Sequence, residues 1–291
     1  MKRKKTLMKK VEPYLYLLPA FIFFILFVYY PFLKNEILSF FTLDKFRTIK
    51  GFAGLGNYVK VLTDETFIQS IINTLIYVFV TVPVSMVIGY FLALLCRKRR
   101  GCSSAYEAMF AMSMATSASV MAMIFQLMYN PSMGIINKLL GIQVNWLNNP
   151  DLALLSIMMI QIWSNIGYNF IFILSGLRGI SDDIMESANV DGVKGLQLQT
   201  KIILPLISPT ILFLCVKDIA YAMTTASFTL ILTQGGPGGA TETMISYIYK
   251  KGITGTNYNV AFAATTICFL LSAVMMAASM ALEGKKVHYE S

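Results

Sequence analysis

The stretch SDDIMESANVDGVKGLQLQTKIILPLISP, residues 181–209, is a long polar interruption in the second half of an otherwise apolar chain. Its charged side chains exclude it from a bilayer, because each charge at the bilayer centre costs about 2.5 to 3.5 kcal/mol. Ser181 is a suitable N-cap, and the aspartates after it complement the positive end of a helix. Gly192 is placed to end that helix, and Leu196 to begin another. The stretch therefore predicts two short helices, joined by a turn, at one face of a membrane.

The composition around this stretch limits the class of protein. The chain has 291 residues, of which 56% are hydrophobic and 13% charged, as is typical of a polytopic membrane protein. The net charge of +9 is compatible with nucleic-acid binding, but most basic residues lie beside apolar segments, which favours membrane topology. The four cysteines show no CxxC spacing, and the single histidine, His288, lies in the tail, so neither a metal centre nor a catalytic triad is expected. No GxxxxGK[ST] motif is present, so any ATP must be bound by another chain.

Six apolar segments predict an all-α membrane protein with six transmembrane helices, at about 14–32, 71–96, 106–128, 152–177, 204–232 and 260–282. The transmembrane domain, 14–282, lies between an N-terminal tail, 1–13, and a C-terminal tail, 283–291. The tails, Arg97 to Arg100 and the loop 181–203 with Arg178 before it hold 15 of the 24 lysine and arginine residues, against eight in the loops at the other ends of the spans. The positive-inside rule therefore places both tails and that loop in the cytoplasm. Asn73 and Pro83, inside the second span, should face protein, because lipid can satisfy neither an amide nor the carbonyl that a proline frees.

Charged residues inside the fifth predicted span are candidates for the solute pathway. Lys217 and Asp218 lie near its middle, where they need partners or water. Adjacent helical residues point about 100° apart, so we predict that the two do not form a simple ion pair with each other. Lys217 shares a face with Tyr221. A structural bridge to a partner permease and a position lining the pathway both fit this pair.

The fourth predicted span supplies aromatic rings and amides, in the residues Trp163, Asn165, Tyr168 and Asn169. Rings that stack on a sugar and amides that hydrogen-bond to hydroxyls suit a polyhydroxylated solute. A place at the membrane interface or in the packing of the bundle explains Trp163 equally well.

Several motifs resemble those of carbohydrate-type ABC importer permeases, of the maltose and glycerol-phosphate class. The run Glu186-Ser187-Ala188-x-x-Asp191-Gly192 is similar to the EAA loop of that family, with Gln199 where an aromatic residue is usual. GLGNY at 54–58, NPSMGIIN at 130–137 and LTQGGPGGATET at 232–243 resemble further family motifs in the same order. The LTxGGP motif places the chain with the first permease of such pairs.

The resemblance implies a type I ABC importer permease architecture with a cytoplasmic coupling helix that docks into an ATPase cleft. The implied ATPase-coupling residues are Glu186, Ser187, Ala188, Asp191 and Gly192, with Ala188 keeping the contact close. The chain is then not an enzyme and binds no cofactor or metal, since ATP and Mg²⁺ belong to two ATPase subunits. The other implied partners are a second homologous permease, an extracytoplasmic solute-binding protein and membrane lipids, but no nucleic acid.

The implied function is import of a carbohydrate, sugar-phosphate or glycerol-phosphate-like solute across a bacterial cytoplasmic membrane, by ATP-driven alternating access. A secondary transporter, which would work alone on an ion gradient, is the first alternative, and the lack of a visible internal repeat counts against it. An intramembrane enzyme would need a catalytic dyad that the apolar segments do not contain. A membrane scaffold without transport is a further alternative.

Overall fold

A computed structural model of the chain describes residues 14–98 and 103–284. The predictions for the N-terminal tail, for Arg99, Arg100 and Cys102, and for most of the C-terminal tail with His288 lie outside the described residues. Within them, five helices are long and apolar enough to cross a membrane, and one bent pair makes a sixth. This architecture confirms the predicted all-α membrane protein.

The helices follow one another as α1 Tyr14–Leu38, α2 Gly56–Leu62, α3 Glu65–Cys96, α4 Ser103–Ala111, α5 Ala118–Met128, α6 Ile135–Leu140, α7 Pro150–Gly179, α8 Asp182–Val190, α9 Gly195–Leu198, α10 Ser208–Thr224, α11 Met244–Tyr249 and α12 Tyr258–Gly284. Shorter helical turns are the 3₁₀ turn Met112–Ala115, the turn Leu204–Leu206 and the π turns Ile25–Tyr29, Gln199–Ile203, Thr229–Thr233 and Lys250–Thr254. Two strands, β1 Phe41–Leu43 and β2 Ile49–Phe52, pair antiparallel. The chain divides into two compact units.

The first unit, residues 14–63 and 248–267, contains a β-hairpin that the sequence analysis did not predict. The Asp44 carboxylate accepts the backbone N–H groups of Thr48 and Phe46, each at 2.9 Å, and closes the hairpin. The Thr48 N–H bond is the main reason why the pKa of Asp44 is lowered. In the GLGNY motif, the buried Asn57 side chain donates to the carbonyls of Ser39 and Phe41, both at 2.9 Å.

The second unit, residues 64–247 and 268–284, is built on α3, α7 and α10. Small residues let these helices approach closely. A Cβ at Gly89 of α3 would lie 2.9 Å from the Cβ of Asn169 on α7. A Cβ at Gly167 would lie 2.1 Å from Ser113 Oγ and 2.4 Å from the Phe110 carbonyl oxygen. These contacts require glycine, because a methyl group would overlap the facing atoms.

The predicted third span, 106–128, is wrong as a single straight helix. It consists of Ser103–Ala115 and Ala118–Met128, which are bent by 102° at the break between them. Ser117 at the break accepts the N–H of Val120 at 3.3 Å and begins α5 as its N-cap. A serine that can cap a new helix makes a break inexpensive, and uninterrupted hydropathy cannot reveal it.

The predicted fifth span, 204–232, also differs in its bounds. The continuous helix α10 begins at Ser208, after Ile207 has left helical geometry, and ends at Thr224. Pro205 and Pro209 lack backbone N–H groups and cannot continue a helical ladder, which explains the irregular entry. The helical path resumes before the π turn Thr229–Thr233, so a stretch long enough to span runs from Ser208 to Thr233.

Candidate functional site

The helix α8, Asp182–Val190, carries the predicted coupling motif. Ser181 occupies the predicted N-cap position, but its side chain does not hydrogen-bond to the helix. At the other end, Gly192 has φ +72°. The Val193 N–H donates to the Ala188 carbonyl at 2.9 Å and the Gly192 N–H to the Asn189 carbonyl at 3.1 Å. These two bonds make a Schellman motif, so the prediction that Gly192 ends the helix is confirmed.

The acidic side chains of the coupling motif face outward. Glu186, Ser187 and Asp191 are exposed, whereas Ala188 is only 3% exposed and is directed into the chain itself. The expectation that Ala188 keeps a partner close is therefore wrong for its side chain: the methyl group packs inside this chain.

Two grooves flank α8. One, of about 570 Å³, is lined by Arg97, Lys98, Arg178 and Glu186 among others. The second, of about 470 Å³, is lined on the opposite side by residues that include Asp183, Ser187, Asp191 and Lys201. The helix thus stands between two concave surfaces that each carry charge of both signs.

Gln199, which occupies the position of the usual aromatic residue, bonds within the chain. Its Oε1 accepts the hydroxyl of Tyr90 on α3 at 2.5 Å. This contact joins the end of α9 to a long helix.

A buried row of polar side chains, which we call the polar seam, runs between α3, α7 and α10. Its members are Tyr77, Ser85, Gln161, Asn165, Asn169 and Asp218. The hydrogen bonds of the seam form two groups. In the first, Tyr77 donates to Gln161 Oε1 at 3.0 Å and Gln161 Nε2 donates to Asn165 Oδ1 at 2.8 Å. In the second, Asn169 Nδ2 donates to Asp218 Oδ2 at 2.9 Å and to Ser85 Oγ at 3.3 Å.

Lys217 and Asp218 form an ion pair, and the prediction that they do not is wrong. The Nζ of Lys217 lies 2.6 Å from Asp218 Oδ1, although the two Cα–Cβ bonds diverge. The flexible four-carbon stem of lysine bends back and bridges the angle that separates the residues. The Asp218 side chain is fully buried, whereas that of Lys217 is 29% exposed. The ammonium also lies 3.8 Å from the centroid of the Tyr168 ring, in a cation–π contact.

Aromatic rings continue from Tyr168 along the surface of the same unit. Tyr168 stacks on Phe172 at 4.5 Å between centroids, and Phe172 lies 5.6 Å from Phe213 of α10. Tyr221 follows Lys217 by one helical turn and is 43% exposed. The structure therefore brings Asn169, Asp218, Lys217 and Tyr168 into direct contact, joins Asn165 to the seam and leaves Tyr221 on the adjacent surface.

Trp163 does not join this group. It is 44% exposed and packs edge-on against Phe125 of α5, with the ring centroids 5.7 Å apart. It lies about 200° around α7 from Gln161, so it faces away from the seam. This position agrees with the packing role that the sequence left open.

Sequence reasoning missed Tyr77, Ser85 and Gln161. The available signal was the spacing of Gln161, Asn165 and Asn169, which recur every four residues and so lie on one face of a helix. Within the described residues, Asn165 Nδ2 and Asn169 Oδ1 have no hydrogen-bond partner, which leaves one donor and one acceptor unused in the seam.

The loops at 130–137 and 232–243 are held by buried asparagines. Asn73 donates to the carbonyls of Gly239 and Glu242 at 3.1 and 2.9 Å, so the prediction that it faces protein is confirmed. The same prediction for Pro83 is wrong within this chain, because Pro83 is exposed. Asn137 of NPSMGIIN donates to the carbonyl of Val144 at 2.9 Å and accepts from Trp146 Nε1 at 2.7 Å. Both loops are thereby fixed by side chains that replace regular secondary structure.

Long apolar helices, a buried polar seam with a half-buried lysine and an exposed polar segment between two of the helices define a polytopic membrane transport protein. Residues 65–288 match the family described as binding-protein-dependent transport system inner membrane component. The chain belongs to this family.

Relatives extend the match to nearly the whole chain. It is 31% identical to the sn-glycerol-3-phosphate transport system permease protein UgpA of Agrobacterium fabrum, over 96% of this chain and 97% of that protein. It is 30% identical to the probable ABC transporter permease protein YurN of Bacillus subtilis, over 90% and 92% of the two chains.

The fold is shared with a bacterial ABC transporter involved in the import of the acidic polysaccharide alginate. A chain of that transporter superposes with a TM-score of 0.84 at 24% identity, over 97% of this chain and 99% of that one. A second crystal structure shows a bacterial alginate ABC transporter in complex with a periplasmic protein bound to an alginate pentasaccharide. Its matching chain has a TM-score of 0.83 at 25% identity, with the same coverage.

These findings make the chain the permease component of an ABC importer, which works with a solute-binding protein. It is a multi-pass protein of the inner membrane and not a catalytic enzyme. Of the functions that the sequence allowed, the importer is supported over the secondary transporter and the scaffold. Within the described ranges, no three His, Cys, Asp or Glu side chains cluster as a metal site.

Proposed function

We propose that this permease, paired with a second homologous permease, forms the pathway for a carbohydrate, sugar-phosphate or glycerol-phosphate-like solute. Two ATPase subunits, which bind ATP and Mg²⁺, power the pathway by alternating access. Both termini and the segment 181–203 lie in the cytoplasm, and lipids surround the complex. The observation that carries this proposal is the position of Lys217, held between the buried Asp218 and the ring of Tyr168.

A lysine within an apolar helix needs a partner for its charge, and here the partner is Asp218 of the same helix. Asn169 donates to Asp218 Oδ2, so the carboxylate that pairs with the ammonium is also held by a neighbouring helix. The ammonium group of Lys217 is held at the surface of the unit, one helical turn from the exposed Tyr221. Ammonium N–H donors and ring faces are the groups that bind sugar hydroxyls or a phosphate. The sn-glycerol-3-phosphate named for UgpA and the acidic polysaccharide named for the alginate importer are solutes of this kind.

The exposed acids of α8 supply the coupling surface. Glu186 and Asp191 meet basic or backbone donor groups in a cleft of the ATPase, while Ser187 and the turn at Gly192 shape the contact. Closure of the ATPase dimer on ATP draws the two coupling helices together and opens the pathway outward. Hydrolysis then returns it inward.

Two successive measurements test the proposed class of solute. A thermal-shift screen of the binding protein of the same system, against neutral sugars, sugar phosphates, uronic-acid oligosaccharides and glycerol phosphates, identifies the ligand. Proteoliposomes that contain the full complex, with ATP inside, are then expected to release that radiolabelled ligand from the binding protein into the lumen. Uptake that proceeds equally well without ATP would overturn the proposal.

The coupling surface is tested by a charge reversal. We expect Glu186→Lys to leave the permease folded, because the side chain is exposed, but to reverse the local field and lower ATP-dependent uptake by about ten-fold or more. Asp151→Lys is the control, since Asp151 is likewise an exposed acid on a helix, in the first turn of α7. Wild-type uptake and stimulated hydrolysis in the Glu186 variant would remove this residue from the coupling surface.

A further inference from the structure

We infer that Tyr90 and Gln199 form the contact through which the coupling segment 181–203 positions helix α3, and through α3 the polar seam. The inference rests on the proposed coupling function of that segment. It adds two positioning residues that lie outside the docking surface and outside the pathway.

No second side-chain hydrogen bond of this kind joins the segment to a membrane-spanning helix in the part of the chain that the structure describes. Among residues 14–98 and 103–284, the bond from Tyr90 to Gln199 is the only side-chain hydrogen bond from the segment to a membrane-spanning helix. The segment otherwise reaches the helices through apolar packing of Met185, Leu198 and Ile203 against the core. Apolar contacts are non-directional, whereas a hydrogen bond fixes distance and direction.

The surroundings of Tyr90 favour a single arrangement. Its ring borders a cavity of about 430 Å³ whose other lining residues, Pro83, Met86, Val87, Phe91, Ile173, Leu204 and Ile211, are all apolar. The hydroxyl finds no second side-chain partner among these residues. When the segment moves, Tyr90 therefore either follows Gln199 or loses its bond to the segment.

Helix α3 carries this contact directly to the seam. Ser85 lies just over one turn before Tyr90 and accepts the hydrogen bond of Asn169, which also holds Asp218. Gly89, next to Tyr90, touches Asn169 so closely that no side chain would fit between the helices. The backbone of α3 thus connects Tyr90 to Gly89 and Ser85, and both of these meet Asn169, which holds Asp218. A displacement of the segment reaches Lys217 through the movement of α3.

A double-mutant cycle on the complete transporter tests the inference. Tyr90→Phe removes only the hydroxyl, and Gln199→Met removes only the amide. Each is expected to lower the ratio of hydrolysis with liganded binding protein to basal hydrolysis by about five-fold, which corresponds to about 1 kcal/mol. The double variant is expected to be no worse than either single one, because the two changes remove the same bond.

Matched controls separate the contact from general damage. Tyr106→Phe and Gln197→Met make the same chemical changes at exposed positions of α4 and α9, and both are expected to keep the wild-type ratio. The thermal midpoint of all variants in detergent should stay close to that of the wild type, which a merely structural role of the bond would not allow.

Two results would overturn the inference: a wild-type ratio in Tyr90→Phe, or losses in the two single variants that add up in the double variant. Failure of the proposed function is a different result, namely a wild-type complex without ATP-dependent uptake.

Discussion

The polar seam and the coupling segment are both polar regions of an apolar chain, but the charged side chain is buried and paired in the seam, whereas the acids of the segment are exposed. In the seam, Asp218 is fully buried and has its partners, Lys217 and Asn169, within the same chain. In the segment, Glu186 and Asp191 are exposed on a short helix. A buried charge without a partner strongly destabilises the fold, so its partner must lie in the folded chain. An exposed acid contributes little to stability and can remain unpaired until another protein binds. Changes in the seam should therefore alter folding and transport together, and changes at the exposed acids of the segment should leave the permease folded and alter its coupling to the ATPase.

The largest effect is expected from Lys217→Met, which leaves Asp218 buried without its counter-ion. Breaking one side of a buried pair costs about 3 to 5 kcal/mol, so the free energy of unfolding and the yield of folded protein in the membrane should fall sharply. Thermal unfolding of the purified permease in detergent, followed by tryptophan fluorescence or by aggregation, measures the loss.

The double variant Lys217→Met with Asp218→Asn is the control for this change. It removes both charges and keeps an oxygen that accepts the Asn169 bond, so most of the stability should return. Uptake by the double variant then separates the pathway from the fold: restored stability without uptake assigns the Lys217–Asp218 pair to the solute pathway. A stable Lys217→Met single variant would contradict the view that the seam must satisfy its own charges.

A smaller loss is expected from Gly167→Ala on α7, the helix that carries most of the seam. The new methyl group would meet Ser113 Oγ and the Phe110 carbonyl, and the backbone atom cannot rotate away. Overpacking of this kind costs about 1 to 3 kcal/mol. Gly179→Ala, near the end of the same helix and with no atom close to its added Cβ, should be neutral in the same thermal assay. Equal midpoints for the two variants would show that α4 and α7 are free to separate here.

The difference between the two regions also explains what the sequence alone predicts. The coupling segment is local: Ser181, the acids and Gly192 lie within one short stretch, so its helix and its end follow from capping rules. The seam is tertiary: Tyr77 meets Gln161 and Asn169 meets Asp218 across separate helices, and no local pattern pairs them. The prediction that Lys217 and Asp218 do not pair is wrong because the direction of the Cα–Cβ bond does not limit where a long lysine side chain ends.

The bend between α4 and α5 cannot be predicted from the sequence for another reason. The two helices on either side of Thr116 and Ser117 are together apolar enough for one span, and only the close packing at Gly167 and the cap at Ser117 show why the helix bends there. The Tyr90 to Gln199 bond escapes prediction in the same way, since its two residues are far apart in the chain.

The smallest effect is expected from Gly192→Ala at the end of α8. The alanine would have to adopt φ near +72°, which costs an L-residue about 1 to 2 kcal/mol. No neighbouring atom would meet the new Cβ, so the cost is confined to the turn and to an exposed helix that can fray without disturbing the core. The thermal midpoint of the permease should therefore stay near that of the wild type, while the affinity for the ATPase, measured by titration into permease in nanodiscs, should fall by up to about ten-fold. Gly192→Asn is the control, because asparagine tolerates the left-handed conformation better and should recover part of the affinity. If Gly192→Ala instead lowered the midpoint as much as Gly167→Ala does, the coupling segment would be part of the folding core, and the contrast with the seam would fail.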